Sequence, residues 1–302
     1  MWSSSDEQVD AVLSVAINAK SYVVAATSRL EGNDWSSSLR LFQYKGSEII
    51  HLHAIRLPTT VGSIAWFEPD VVVCAGDDSD LYYCMFDFEK SVWCRLEPEV
   101  AHGHNDLISH VDVNGSFLAS SSWDMNVKLW DLSSMDLLEN YKEHTDKVWH
   151  VKWKNQNELA SASQDRTVRL WDTRDRNSAA VFPTSFAAMS LAWHPSSDYL
   201  LTAGLEDGSI WTLDTRSLQE CLSTLNQVHR SSVHGLAYNE KDTLASCSDD
   251  TTVAIWDAMA SESPSQRLVY EEHKDYVHGV AWINATQVLT SSYDKSVHIW
   301  HL

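Results

Sequence analysis

Val127-Lys128-Leu129-Trp130-Asp131, Val168-Arg169-Leu170-Trp171-Asp172 and Val253-Ala254-Ile255-Trp256-Asp257 are three versions of one pentapeptide, and Val297-His298-Ile299-Trp300-His301 is a fourth. Weaker versions stand at Trp211-Thr212-Leu213-Asp214, Tyr83-Cys84-Met85-Phe86-Asp87 and Leu39-Arg40-Leu41-Phe42-Gln43. The copies end at 43, 87, 131, 172, 214 and 257, and the seventh runs out near 302, so the period stays between 41 and 44 residues. A fixed period of this length means one small unit stacked repeatedly, because a single unit cannot bury its own apolar face. Inside each copy, apolar and polar residues alternate as in half-buried strands: Val148-Trp149-His150-Val151-Lys152-Trp153, then Leu159-Ala160-Ser161-Ala162-Ser163. With 10 Gly, 6 Pro and no amphipathic helical stretch, the expected architecture is all-β and a single domain over 1–302.

A second pattern runs at the same period. Four copies carry a His, a hydroxyl residue, an Asp and a Trp at matching offsets: His104, Ser120, Asp124 and Trp130; His144, Ser161, Asp165 and Trp171; His229, Ser246, Asp250 and Trp256; His273, Thr290, Asp294 and Trp300. Buried together, these groups can satisfy one another as a connected network. Three copies depart from the pattern. Asp80 and Asp207 stand at the turn, but Phe86 and Leu213 replace the Trp, Gly76 and Ala203 replace the hydroxyl, and the first copy lacks the Asp. A nucleophilic triad occurs once and exposes its serine, whereas this set recurs four times; that argues for structure over catalysis.

These marks over the whole chain resemble WD-repeat proteins, which implies a seven-bladed β-propeller. A propeller leaves two bare strand edges unless its ring closes. The last copy stops at Leu302, straight after its third strand, so the closing strand is expected from residues 1–10.

Composition narrows the function. There are 42 acidic and 22 basic residues, a formal net charge of −20, which disfavours nucleic acid and anionic lipid and favours cationic partners. No apolar run is long enough for a membrane span and no basic-then-apolar leader opens the chain, so a soluble intracellular protein is expected. The five cysteines include no C-x-x-C pair. His51 and His53, or His102 and His104, could share a strand face, but no further ligands accompany them at a zinc spacing, so neither metal nor cofactor is expected. No Gly-rich phosphate loop is present.

What remains is surface. On a propeller the top rim is lined near the start of each first strand (Gly62, Ser109, Trp149, Met189, His234, His278) and just before each turn Asp (Ser79, Trp123, Gln164, Glu206, Asp249, Tyr293). Trp123, Trp149 and Tyr293 beside Glu206 and Asp249 suggest an aromatic, acidic face for Arg or Lys side chains.

The segment from Tyr22 to Ser28 and then Leu30-Glu31-Gly32-Asn33-Asp34-Trp35-Ser36-Ser37-Ser38-Leu39-Arg40-Leu41-Phe42 is similar to the first blade of methylosome WD-repeat subunits. Ser190 to Pro195, Glu206-Asp207-Gly208 and His273 to Val277 extend that similarity. The resemblance implies a non-catalytic subunit, cytoplasmic and nuclear, that binds and stabilises a protein arginine methyltransferase and presents arginine-rich histones or Sm proteins. It places Trp35 in the enzyme, with Asn33 and Asp34 beside it. A Trp among Gly, Asn, Asp and Ser also suits an exposed loop. The rival is a substrate receptor of a cullin-type ubiquitin ligase, since Trp171-Asp172-Thr173-Arg174 matches the W-D-x-R signature of such receptors.

Overall fold

The computed structural model describes residues 1–4, 6–17, 20–31, 34–45, 48–96, 103–217, 221–226, 228–257 and 265–302. Among them are 28 strands in seven four-stranded antiparallel sheets, and no helix. Blade 1 holds β2 (Gln8–Ile17), β3 (Lys20–Glu31), β4 (Asp34–Lys45) and β5 (Glu48–Leu57). Blade 2 holds β6 (Val61–Glu68), β7 (Val71–Gly76), β8 (Leu81–Asp87) and β9 (Val92–Leu96). Blade 3 holds β10 (Ile108–Asn114), β11 (Phe117–Ser122), β12 (Val127–Asp131) and β13 (Asp136–Tyr141). Blade 4 holds β14 (Val148–Trp153), β15 (Glu158–Ser163), β16 (Thr167–Asp172) and β17 (Ser178–Pro183). Blade 5 holds β18 (Ala188–Trp193), β19 (Leu200–Leu205), β20 (Ile210–Asp214) and β21 (Cys221–Leu225). Blade 6 holds β22 (Val233–Tyr238), β23 (Thr243–Ser248), β24 (Val253–Asp257) and β25 (Ser265–Tyr270).

Blade 7 comprises β26 (Val277–Asn284), β27 (Gln287–Ser292) and β28 (Ser296–His301), and takes its fourth strand from the opposite end of the chain: β1 (Trp2–Ser3) pairs Trp2 with Val297 and Ser3 with Ser296. The Ser4 amide extends this ladder to the Lys295 carbonyl at 2.8 Å. The expected closure from the N-terminal residues is thus present, and it removes the free edge of β28.

The core is a ring of clusters at the blade junctions. One joins Leu39 and Leu41 of blade 1 to Val72 and Phe86 of blade 2; another joins Leu129 and Tyr141 of blade 3 to Val151 and Trp171 of blade 4; a third joins Val23 and Phe42 of blade 1 to Leu289 and Val297 of blade 7. Each second strand lies between two neighbouring blades, so both of its faces are covered. The alternation read for Leu159–Ser163 is therefore not half-burial: these five residues are all buried. Small Ala and Ser side chains suit that double coverage. Between blades, the Trp153, Trp193 and Trp282 indoles donate to the carbonyls of Asp112, Lys152 and Ala237 at 3.1, 3.2 and 2.9 Å.

Register corrects one sequence reading. Ile64 pairs with Cys74, as Val111 pairs with Ser120. In blade 2 the hydroxyl position is therefore Cys74, the turn acid Asp78 and the Trp position Cys84, two residues before Gly76, Asp80 and Phe86. Backbone geometry agrees: the residue after each turn acid is left-handed, at φ 76° for Ser79, 68° for Met125, 62° for Arg166, 72° for Thr251 and 74° for Lys295. Blade 5 needs a glycine there. A Cβ on Gly208 (φ 86°) would meet the His229 carbonyl oxygen at 2.3 Å.

Candidate functional site: an aromatic and acidic funnel beside an extended hairpin

The four complete sets form as expected, with one direction of donation. In blade 4 the Trp171 indole donates to Ser161 Oγ (2.8 Å), Ser161 Oγ meets His144 Nε2 (2.7 Å), and His144 Nδ1 meets Asp165 (2.7 Å). Since the indole can only donate, the hydroxyl passes its own proton to Nε2 and the imidazole donates from Nδ1 to the carboxylate. His104, Ser120, Asp124 and Trp130 repeat this at 3.0, 2.7 and 2.9 Å from the acid outward. His229, Ser246, Asp250 and Trp256 do so at 3.2, 2.8 and 3.1 Å, and His273, Thr290, Asp294 and Trp300 at 2.9, 2.8 and 2.8 Å. Burial alone would raise these carboxyls, but hydrogen bonds from the histidines outweigh it and hold Asp124, Asp165, Asp250 and Asp294 well below the usual carboxylate range. Ser120, Ser161, Ser246 and Thr290 are fully buried, out of reach of a substrate.

Blades 1, 2 and 5 are held otherwise. Leu57, Cys74 and Cys84 share one apolar cluster, and Ala203 and Leu213 share another. In blade 1, Arg40 donates to Glu7 Oε2 from Nε (2.9 Å) and Nη2 (2.6 Å), and the Thr27 hydroxyl donates to the same oxygen (2.6 Å). Although burial opposes it, these partners lower the Glu7 carboxyl.

The ring encloses an upper funnel of about 330 Å³ and a lower channel of about 470 Å³. Trp123, Trp149 and Tyr293 line the funnel. Trp123 and Trp149 pack edge to face, centroids 5.4 Å apart, and Trp149 donates to Gln164 at 2.8 Å. The Lys147 ammonium already lies over the Trp123 ring, 3.6 Å from its centroid, so that aromatic face holds an internal cation. Asp249 sits behind the wall, bonded to His234 at 3.0 Å. Glu206 is exposed and is not among the residues lining the funnel. Ser79 gives way to Asp77 at the rim, another consequence of the two-residue shift.

Two acids that the sequence reading missed, Asp10 and Asp77, also line the funnel. Burial raises both carboxyls, and it pushes Asp10 up to about 7 against hydrogen bonds from Ser28 and Gln8. Asp10 holds in blade 1 the place that Gly62 and His278 hold in theirs, the unpaired residue at the register shift of the inner strand. The period could have shown it. Also missed were His110 and His150, stacked 3.6 Å apart in the channel and kept neutral by burial, which takes His110 down to about 3.

Trp35 departs from a loop position. Strands β3 and β4 stay paired beyond Thr27↔Ser38 through Arg29↔Ser36 and Leu30↔Trp35 to Glu31↔Asp34, where blades 2 to 7 turn tightly. Trp35 is therefore a strand residue on an extended hairpin. It is 50% exposed beside Leu30 at 56%, and its side chain also reaches the funnel. Asn33 lies outside the described residues, and Asp34 is described by its backbone alone. Arg174 is paired within its own blade, to Asp172 Oδ1 at 2.8 Å and Oδ2 at 2.5 Å, and Arg216 treats Asp214 the same way.

The WD domain, G-beta repeat, matches residues 98–131, 135–172, 179–211, 219–257 and 264–301. The chain is 27% identical to the methylosome protein WDR77 of Xenopus laevis over 276 residues, 83% of this chain and 80% of that one. It is 25% identical to the E3 ubiquitin-protein ligase COP1 of Arabidopsis thaliana over 46% of this chain and 21% of that protein. The WD40 β-propeller domain of Doa1 superposes with a TM-score of 0.76 at 20% identity, covering 98% of this chain and 94% of that one. With repeats, register and ring in agreement, the chain belongs to the WD-repeat family of β-propellers.

Proposed function

We propose that this propeller is a non-catalytic adaptor of a protein arginine methyltransferase complex, binding the enzyme through the blade 1 hairpin and collecting arginine-rich histones or Sm proteins at the funnel, in cytoplasm and nucleus. The observation that carries this reading is the exposed Leu30–Trp35 pair on a hairpin that blades 2 to 7 do not extend. Two large apolar side chains side by side in water form a patch that a partner would cover. Similarity to WDR77 over most of both chains supports the choice of partner. The net charge of −20 suits basic segments, whose encounter a negative field accelerates, and Asp77 lines the funnel that would receive them.

Native mass spectrometry of the tagged chain recovered from cells tests the reading. It expects a mass for propeller plus arginine methyltransferase that is lost with Trp35→Ala. Recovery of a cullin-ligase adaptor in its place, lost with Arg174→Ala, would overturn it.

A further inference from the structure

His234 is the second residue of the inner strand of blade 6, Asp249 precedes that blade's turn acid, and His278 is the second residue of the inner strand of blade 7. The two imidazoles stack at 4.3 Å, 16° from parallel, and both turn Nε2 toward the one carboxylate. His234 Nε2 lies 3.0 Å from Asp249 Oδ2 and His278 Nε2 lies 3.4 Å from Asp249 Oδ1. The three ligand atoms all lie within 4.8 Å of one another. We propose that His234, Asp249 and His278 form a transition-metal site of the Zn²⁺ class in the funnel wall.

Three arguments support it. Bonds of about 2.0–2.1 Å in a tetrahedron set ligand atoms about 3.4 Å apart, inside the 4.8 Å that bounds the three here, and an entering ion would turn one imidazole out of the stack so that both rings meet it edge-on. Asp249 Oδ1 is buried and makes no well-formed hydrogen bond, with His278 Nε2 only at 3.4 Å, and a cation would bind it more fully. The pattern also differs from the four blade networks, in which a hydroxyl consumes Nε2 and the acid is met by Nδ1. Here both Nε2 atoms are left to one carboxylate. Two imidazoles and a carboxylate are the donor set of a three-ligand zinc site, and the fourth position is left for water or a partner's donor. His234 and His278 line the funnel, and Asp249 stands behind them with 18% of its side chain exposed. The Tyr293 ring, 4.3 Å from His278, backs the set.

The site is independent of the methyltransferase reading, because it needs only this chain. Chelator-treated protein is titrated calorimetrically with Zn²⁺, in parallel with Asp249→Asn and the double variant His234→Gln/His278→Gln, each checked by a metal-free thermal melt. One tight equivalent is expected, weakened at least about tenfold in either variant, since losing even a supporting group of a metal site costs that much. Co²⁺ should give the intense visible bands of a tetrahedral ion with imidazole and carboxylate donors in the wild type alone. No tight equivalent, or one that both variants retain in full, would overturn the proposal. If one variant melts early, the other and the Co²⁺ spectrum decide.

Discussion

Blades 3, 4, 6 and 7 and blades 1, 2 and 5 share a backbone and differ in what holds it. The first group spans each blade with one polar chain from indole to carboxylate. The second fills the same space with Leu57, Cys74 and Cys84, with Ala203 and Leu213, or with Arg40 braced on Glu7. The four-strand sheet therefore does not need the polar set, and packing between neighbours suffices. Release from that set coincides with the distinctive features of the molecule: the extended hairpin and the acids Asp10 and Asp77 all lie in blades 1 and 2.

The largest expected effect sets two tryptophans against each other. Trp171 is 1% exposed and anchors a network, so Trp171→Ala should cost about 3–5 kcal/mol. Trp35→Ala should leave the melting temperature nearly unchanged. Denaturant titration of both checks the contrast, and equal losses would mean the hairpin belongs to the core.

The polar set gives the next effect. Asp165→Ala strips the partners of His144 Nδ1 and the Thr145 amide, for about 1–3 kcal/mol. Asp78→Ala, in a blade without the network, removes only the acceptor of the exposed Tyr82 hydroxyl and Asp80 amide and should cost less, about 0.5–1 kcal/mol. Equal losses in thermal melts would erase the distinction between the two groups.

Acid and base should separate the groups further. The network carboxylates sit below their unfolded values, so their contribution is present above a pH of about 4 and fades as pH falls through their depressed folded values. Asp10 has the opposite sign. Raised to about 7, it keeps a proton in the folded state that the unfolded chain releases near a pH of about 4, so stability falls as pH climbs between those values. Asp10→Asn keeps an acceptor for Ser28 and Gln8, and its melting advantage over wild type should open across that window. An advantage that does not vary with pH would contradict a buried protonated acid.

The smallest effect concerns long-range charge. Binding of an arginine-rich peptide should weaken as ionic strength rises toward 0.15 M, where the screening length falls to about 8 Å. Salt-independent binding would remove the acidic funnel from the account.

Legibility in the sequence followed the same division. A four-fold repeated polar set has one alignment, so all sixteen of its residues fell into place. Where that set was missing, nothing pinned the register, and Gly76, Asp80 and Phe86 were read two residues late. Trp35 looks like a loop residue because Gly32, Asn33, Asp34, Ser36 and Ser37 flank it, yet backbone pairing carries β3 and β4 as far as Glu31↔Asp34. Glu206 was placed in the funnel by its offset alone, which fixes a rim position but not the direction of the side chain. His234, Asp249 and His278 were out of sight as a group because the two histidines are a full repeat apart, and only the ring brings them together.

The central claim is that blade 1, freed from the polar set, carries the methyltransferase contact. Its most direct test is calorimetric titration of the purified methyltransferase with wild type and Trp35→Ala, alongside a thermal melt of each propeller. The account predicts unchanged melting and affinity weakened about 30-fold or more, equivalent to about 2 kcal/mol. Undiminished affinity with unchanged melting would contradict it.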